Sequence, residues 1–201
     1  MADKQIELGP LLFEGRTKQV YAAPNKELIV IHYKEDKGIY NNKLSGSFFR
    51  LLESSGIPSH FVTRINDREQ LCRKIEIISL QAVVRSNPQQ PQPLVELFCK
   101  SEKDKPISRE EAASAAKAKT EEIDYIIKTA LQIYTILGTF LQEKKLLLAE
   151  CTLEFGRTEE GQIELADEIS SDTCCILDLQ SKQAVSHAEL WDRIGAFQLN
   201  T

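Results

Sequence analysis

The sequence predicts an α+β protein in which an N-terminal sheet lobe leads into a lobe of helices and strands. Three observations predict this class. The first part of the chain has short apolar, β-branched and aromatic runs separated by turn residues. The middle has a long apolar stripe at the helical period of 3.6 residues. Two more strand-like runs follow, joined by a polar turn bounded by glycines. Because 201 residues suffice for one folding unit, we expect residues 1–80 and 81–201 to form two lobes of one compact body.

The first elements are predicted to be a β-hairpin and a helix. Leu11–Tyr21 and Glu27–Tyr33 are strand-like and are joined by an Ala-Pro-Asn-Lys turn. From Asn41 onward the apolar residues recur at helical spacing, and a Ser-Ser-Gly sequence ending at Gly56 predicts the helix stop. A helix therefore follows the hairpin.

Three further strands are predicted to complete an antiparallel N-terminal sheet. They are Phe61–Ile65, Gln70–Ser79 and Gln81–Arg85. The proline-spaced segment 86–93 cannot continue a central strand, so we expect a loop there, followed by a strand at Leu94–Cys99.

The C-terminal half begins with helix signals and ends with a strand pair. Ser108 and Glu111 have the spacing of a capping box. Thr120 precedes the long helical stripe, which should pack against a second sheet. Leu146–Phe155 and Gln162–Ile169 are predicted to be antiparallel strands.

Composition excludes several classes of protein. A formal net charge of −5 argues against a nucleic-acid groove, which needs a basic face. No apolar run approaches the ~20 residues of a membrane span. The polar start of the chain lacks the apolar stretch of a signal peptide, so we expect a cytoplasmic protein. Five cysteines without paired CxxC spacing predict reduced thiols rather than a zinc site.

Two carboxylates on the late strand pair suggest a metal site. Glu154 and Asp167 lie amid apolar residues on opposite arms, and buried acids need a partner or a cation. A hard cation such as magnesium suits oxygen ligands. One register would also put Glu150 on the same face, and a slip of one residue would separate the acids. The alternative is that these acids are solvated on the outer face.

The segment Glu14–Tyr21 (EGRTKQVY) is the candidate phosphate site. Gly15 would let backbone amides approach a phosphate, and Arg16 or Lys18 would supply positive charge. A solvent-facing strand edge is the alternative, because edge strands often carry lysine.

Four polar residues near element ends are weaker candidates. Arg85 ends a strand and suits capture of a carboxylate or phosphate, or a surface ion pair. Asn41 and Asn42 are predicted to begin the first helix, where an amide would act as its cap. Asp172 follows two serines and would cap a turn or orient a ligand. The three histidines have no spacing typical of a triad or a zinc site.

Together these segments resemble the SAICAR synthetase family over nearly the whole chain. The matching stretches are EGRTKQVY at Glu14–Tyr21, Asn41-Asn42, Gly56–Phe61, Asp67–Gln70, Val83–Arg85, LEFG at Leu153–Gly156 and ADEISSDTC at Ala166–Cys174. The resemblance implies an N-terminal lobe like the ATP lobe of protein kinases, with ATP in the cleft between the lobes. It also implies an ATP- and Mg²⁺-dependent ligase of purine biosynthesis. Such a ligase activates the carboxylate of carboxyaminoimidazole ribonucleotide as an acyl phosphate, which the amine of aspartate attacks. Self-association is a further expectation.

The resemblance also implies roles for individual residues. Lys18, beside Gly15 and Arg16, would meet the ATP phosphates, while Glu154 and Asp167 would hold magnesium across a nucleotide-sized gap. Arg85 and Asn42 would bind the ribonucleotide substrate. Asp172 would act on the substrate side of the cleft, as a catalytic and substrate-binding residue.

The sequence departs from the family pattern on the substrate side. A proline-glutamine loop after Arg85 replaces a Gly-Ser turn and a Lys-Arg pair, Thr152 replaces a lysine, and Cys175 replaces an arginine. Each charge-assisted hydrogen bond lost costs ~1.5–3 kcal/mol. A family member with a different carboxylate or amine substrate, a non-catalytic nucleotide-binding or regulatory relative, and a kinase without amide chemistry are therefore the alternatives.

Overall fold

The computed structural model describes residues 6–86 and 92–195, with the backbone alone for 102–104. The predicted proline-rich loop lies largely outside the described residues. The strands are β1 (Leu11–Glu14), β2 (Lys18–Ala22), β3 (Leu28–Tyr33), β4 (Phe61–Arg64), β5 (Glu69–Arg73), β6 (Glu76–Ile77), β7 (Leu80–Arg85), β8 (Leu94–Cys99), β9 (Glu102–Ile107), β10 (Leu146–Arg157), β11 (Ile163–Ala166) and β12 (Cys174–Asp178). The helices are α1 (Lys37–Ser54), α2 (Arg109–Ala115), α3 (Thr120–Glu143) and α4 (His187–Ile194).

The first sheet is antiparallel, with strand order β1-β2-β3-β5-β4. The predicted hairpin is confirmed as β2 and β3, in which Lys18 lies opposite Tyr33. Its first arm was predicted as one strand, but the chain reverses after Glu14 and forms two strands. The Gly15 N–H donates to the Lys18 carbonyl at 2.8 Å and closes this reversal.

Helix α1 begins at Lys37, earlier than predicted. A Cβ at Gly38 would lie 2.9 Å from the Tyr33 Cβ, so glycine allows the helix to begin directly behind β3. The predicted helix cap is wrong, because Asn41 and Asn42 lie inside the helix and are buried. The predicted stop is confirmed, with Gly56 at a φ of 81° after the last turn.

The second sheet has the strand order β11-β10-β7-β8-β9, and β6 and β12 also pair with β10. Two predictions are therefore wrong. The segment Gln70–Ser79 divides between the sheets as β5 and β6, and β7 belongs to the second sheet rather than the first. Alternation along a strand reports which faces are buried but not which neighbour pairs with it.

The long helix and the capping box are confirmed. Ser108 Oγ accepts from the Glu111 N–H, and the Glu111 carboxylate accepts from the Ser108 N–H. The stripe of α3 is buried against the second sheet, including Ile126, Ile133 and Leu137. The sequence did not predict β9, β12 or α4.

The hydrophobic core is continuous through both sheets. One cluster joins Ile31 of β3, Phe48 of α1, Leu137 of α3 and Leu153 of β10. The change from one sheet to the other falls between β5 and β6, so we call the elements up to β5 the first lobe and those from β6 onward the second lobe. The division at residue 80 stays a prediction. Within the described ranges, no helix combines the length and hydrophobicity needed to span a membrane.

Candidate functional site

The ammonium of Lys18 lies between two carboxylates of the other lobe. Its Nζ is 2.5 Å from Asp167 Oδ1 and 2.8 Å from Glu168 Oε1. Only 3% of the Glu168 side chain is exposed, against 28% for Asp167. Lys18 is therefore held from the interior by Glu168 and from the solvent side by Asp167.

These contacts correct one detail of the sequence prediction. Lys18 and Asp167 were expected to face each other across a nucleotide-sized gap, but they are in direct contact. Charges this deeply placed are stable only when they are paired, because an isolated buried charge costs several kcal/mol. A lysine ammonium has three N–H donors, so two carboxylate contacts leave one donor for a further acceptor.

The pKa values of the three groups reflect their burial and their pairing. Burial disfavours the charged form of Lys18, but the two carboxylates outweigh it and raise its pKa. For Asp167, burial is likewise outweighed, chiefly by Lys18, and its pKa is lowered. For Glu168, burial prevails over the attraction of Lys18 and its pKa is raised. Asp167 is thus the more readily ionised carboxylate of the pair.

The backbone around Asp167 is fixed by the first lobe. Asp167 follows the last residue of β11 and has a φ of 61°, a left-handed conformation that aspartate tolerates better than most residues. His60 Nε2 lies 3.0 Å from the Asp167 carbonyl oxygen. The His60 N–H donates to the Leu165 carbonyl at 2.9 Å, and the Leu165 N–H donates to Pro58 at 3.1 Å. The loop before β4 therefore holds the segment that carries Asp167.

Glu154 lies in β10 and is bound by two side chains that the sequence analysis did not single out. Gln81 Nε2 donates to its Oε1 at 2.9 Å, and Lys100 forms an ion pair with its Oε2. Lys100 also contributes to the lowered pKa of Asp167. Glu154 and Asp167 thus share one neighbouring cation.

The same-face register suggested for Glu150, Glu154 and Asp167 is not the one observed. Glu154 lies opposite Ala166, so the pairing is displaced by one residue, and the left-handed turn takes Asp167 out of the strand. Glu150 forms an ion pair with Arg85 instead. Alternation could not show this, because the displacement arises where β11 ends.

The turn that carries Gly15 and Arg16 sits at the start of β2. A Cβ at Gly15 would lie 3.3 Å from the Phe13 ring, which is a tight contact. Lys34 Nζ donates to the Gly15 carbonyl at 2.9 Å and forms an ion pair with Glu14. Arg16 is exposed beside them. The turn is therefore braced from β3 while its arginine stays in solvent.

A cavity of about 410 Å³ lies beside β10 and β12, and Asp172 and Cys175 are among its lining residues. Glu150 and Thr152 contribute its floor from β10, and among the described lining residues none is lysine or arginine. Lys37 reaches Asp172 from the first lobe at 3.3 Å. Two acids, each paired with a cation, and several hydroxyls thus give this cavity a polar lining.

Arg85, a predicted substrate residue whose partner Glu150 lines this cavity, already has anionic partners. Its guanidinium forms ion pairs with Glu150 and Glu96, and hydrogen bonding to Glu150 raises its pKa. Asn42 is wholly buried, and its amide donates to the Asn66 carbonyl at 2.9 Å. It holds α1 against the β4–β5 turn, and its role toward a substrate stays a prediction.

Sequence reasoning missed Glu168, Lys100 and Gln81. The signal for Glu168 was present, because it follows Asp167 inside an apolar run and a carboxylate there needs a partner. Lys100 and Gln81 gave no comparable signal. Their contacts with Glu154 bridge 54 and 73 residues of sequence.

Comparisons with known proteins point to one family. The sequence model described as SAICAR synthetase matches residues 11–192. The phosphoribosylaminoimidazole-succinocarboxamide synthase of Coprothermobacter proteolyticus is 36% identical over 198 residues, or 84% of this chain and 84% of that protein. Its counterpart from Persephonella marina is 35% identical over 200 residues, or 85% and 84%.

Solved structures agree with the sequence comparisons. The synthase of Ehrlichia chaffeensis gives a TM-score of 0.86 at 24% identity, covering 93% of this chain and 99% of that one. A type-2 SAICAR synthetase in complex with ADP gives 0.80 at 27% identity, covering 90% and 96%. The SAICAR synthetase of Pyrococcus horikoshii gives 0.73 at 26% identity, covering 94% and 97%. The α+β fold predicted from sequence is thus confirmed.

Proposed function

The chain belongs to the SAICAR synthetase family, and from that premise we propose that it is an ATP-dependent carbon–nitrogen ligase of purine biosynthesis. It joins the carboxylate of carboxyaminoimidazole ribonucleotide to the amine of aspartate. A carboxylate is a poor acceptor for an amine, so it is first phosphorylated by ATP and the acyl phosphate is then attacked. The type-2 relative with bound ADP supports nucleotide binding in this fold.

The observation that carries the proposal is the buried cluster of Lys18, Asp167 and Glu168 between the lobes. Transfer of a phosphoryl group onto a carboxylate brings anions together, and fixed positive charge must offset their repulsion. Lys18 is charged, held in place on two sides, and retains a donor for a phosphate oxygen. The neighbouring Gly15 turn would bring backbone amides close to the same phosphates, with Arg16 at its edge.

The carboxylates beside Lys18 fit a magnesium ion. Among the described residues, no group of three or more His, Cys, Asp and Glu side chains stands ready to hold a metal alone. Magnesium in phosphoryl-transfer sites needs only one or two carboxylates besides phosphates and waters. Asp167 is ionised and partly exposed, Glu154 lies beside the same Lys100, and the buried Glu168 Oε2 has no hydrogen-bond partner. We assign Asp167 and Glu154 to the metal, which when bound would neutralise phosphate charge.

The substrate side is assigned to Arg85, Asn42 and Asp172. Asp172 lines the cavity beside β10 and is the acid best placed to meet the aspartate amine or the ribonucleotide. Arg85 must share its guanidinium between a substrate anion and its two glutamates. We expect this half of the site to bind its substrate more weakly than the nucleotide half.

We also expect a cytoplasmic homo-oligomer. At the edge of the first sheet, β1 exposes Leu11, Leu12 and Phe13, with 63% of Phe13 accessible. An exposed apolar edge strand is a favourable surface for association. Light scattering of the purified protein measures the oligomeric state directly.

The activity is tested by offering ATP, carboxyaminoimidazole ribonucleotide and aspartate together and in pairs, with and without magnesium. We expect product from the full mixture only, and loss of product in Asp167→Asn. Asp124→Asn is the matched control, because Asp124 is half-exposed on α3. A thermal shift on adding ATP without turnover of these substrates would overturn the ligase assignment and favour a diverged or non-catalytic relative. At a hundredfold excess over Kd, binding stabilises the fold by ~2.7 kcal/mol, so absence of any shift would overturn nucleotide binding as well.

A further inference from the structure

Two of the five cysteines face each other across the β10–β12 pairing. Cys151 and Cys174 are opposite in register, and their Sγ atoms are 3.3 Å apart. Both side chains are buried, whereas the adjacent Cys175 is exposed. This thiol pair takes no part in the proposed ligase chemistry.

The backbone around the pair favours a bond between the two sulfurs. The Thr152 N–H donates to the Thr173 carbonyl at 2.7 Å, so these neighbours form the hydrogen-bonded pair. Cys151 and Cys174 consequently occupy the adjoining non-hydrogen-bonded position, where opposite Cα atoms are about 4.5 Å apart. That spacing lies at the short end of the range of about 4.4–6.8 Å that a disulfide bridges. The two side chains need only a small movement to bond.

Cys174 is the more accessible of the two cysteines, with 7% of the residue exposed against 0% for Cys151. It lines the cavity of about 410 Å³ beside β10, together with Cys175 and Thr173. Cys151 lies behind it, and the hydrogen bond from Cys174, together with burial, raises the pKa of Cys151. Cys174 would therefore react first and Cys151 would resolve the product.

We propose that Cys151 and Cys174 form a redox-convertible dithiol that a small peroxide oxidises to a cross-strand disulfide. The Cys174 sulfur attacks the peroxide and the O–O bond breaks. This gives a sulfenic acid on Cys174, and the second peroxide oxygen leaves as water or an alcohol. The Cys151 sulfur then attacks the sulfenic sulfur, the S–S bond forms, and water leaves with the second proton. Two thiols are oxidised and one peroxide is reduced. A dithiol reductant reverses the reaction by exchange.

The disulfide would tie β12 to β10 next to Thr173 and Asp172, at the wall of the cavity. A cross-link between distant residues restricts the unfolded chain, so the oxidised protein should melt about 5 °C higher or more. In a reducing cytosol such a bond is transient, as expected of a redox-responsive site. The inference does not depend on the ligase activity, because its readouts are a covalent bond and a melting temperature.

The test is peroxide treatment of the full-length protein followed by alkylation, tryptic digestion and mass spectrometry. Trypsin cleaves at Lys145, Arg157 and Lys182, so Cys151 lies in the peptide 146–157 and Cys174 in the peptide 158–182. We expect an intact mass lower by about 2 Da. These two peptides should be linked, and dithiothreitol should separate them again. Cys174→Ala and Cys151→Ala should each abolish the link.

Cys175→Ala is the matched control, because Cys175 lies in the same tryptic peptide as Cys174 and could form the link in its place. The link should persist in this variant and disappear in Cys174→Ala, with circular dichroism showing that both variants are folded. A link that persists in Cys174→Ala would assign the bond to Cys175 and overturn the proposal. Full alkylation of Cys151 and Cys174 after peroxide treatment, or cross-links between chains only, would also overturn it.

Discussion

Two regions beside β10 hold their charged side chains in different ways. Toward the first lobe, Lys18 is deeply placed and bound by Asp167 and Glu168 at 2.5 and 2.8 Å. Toward the cavity, Lys37 meets Asp172 at 3.3 Å with both side chains partly in solvent. The first arrangement is a buried cluster of fixed charges, whereas the second is a loose surface pair. The proposed nucleotide half of the site is therefore the more rigidly held half.

Replacing the buried lysine should produce the largest effect. Lys18→Met leaves Asp167 and Glu168 without their cation, and removing one partner of a buried pair costs about 3–5 kcal/mol of stability. Loss of its charge from the phosphates should also lower kcat on the order of 10³-fold. Chemical denaturation and steady-state kinetics measure the two effects. Lys26→Met, at an exposed position, is the control. Equal losses of stability and of kcat in the two variants would contradict the role assigned to the buried Lys18.

The pH dependence of stability tests the burial of His60, the first-lobe side chain that lies beside the Asp167 carbonyl. Burial lowers the pKa of His60 to about 4 from its ordinary value of 6.5. Between these values the unfolded chain binds a proton that the folded protein excludes, so the free energy of unfolding falls as the pH drops from 6.5 to 4. The free energy of unfolding that His60 contributes, and that is lost over this range, is on the order of 3 kcal/mol.

Denaturation across this range, without magnesium, should show a steeper fall for the wild type than for His60→Gln, which keeps a donor near the Asp167 carbonyl. Parallel curves would mean that His60 is protonated as easily in the fold as in the unfolded chain. The packing of His60 against Phe49 would then not exclude charge.

Adding a cation to the cavity should strengthen substrate binding and so narrow the difference in affinity between the substrate half and the nucleotide half of the site. Cys175→Arg places a guanidinium on the exposed face of β12, opposite Glu150. One new charge-assisted hydrogen bond to the ribonucleotide is worth ~1.5–3 kcal/mol, so its KM should fall about tenfold or more with little change in the KM for ATP. Cys175→Gln adds a larger polar side chain without a charge. An equal fall in the KM for the ribonucleotide in that variant would rule out the electrostatic explanation.

The smallest effect should come from the exposed lysine. Lys37→Met removes the 3.3 Å pair with Asp172, and surface pairs contribute less than about 1 kcal/mol. Denaturation of this variant beside Lys18→Met compares the same substitution at a buried and an exposed position. A loss of stability at Lys37 as large as that at Lys18 would remove the distinction between the two regions.

Local signals were read correctly where neighbours in sequence decide the structure. The stripe of α3, the capping box at Ser108 and the helix stop at Gly56 depend on residues within a few positions of each other. The sequence also placed Lys18 and Asp167 at one site, through their motifs and the family resemblance. Their mutual contact joins residues 149 positions apart and could not come from periodicity.

By itself the sequence determined the α+β class, most of the elements and the family, because turn chemistry and hydrophobic period are local properties. Only the tertiary structure decided that β7 pairs with β10, that α1 begins behind Tyr33, and that Glu168 holds Lys18 from the interior. Each of these depends on which distant surfaces become neighbours when the core closes. Burial then fixes which charges must pair, since a carboxylate or ammonium removed from water is stable only beside its partner.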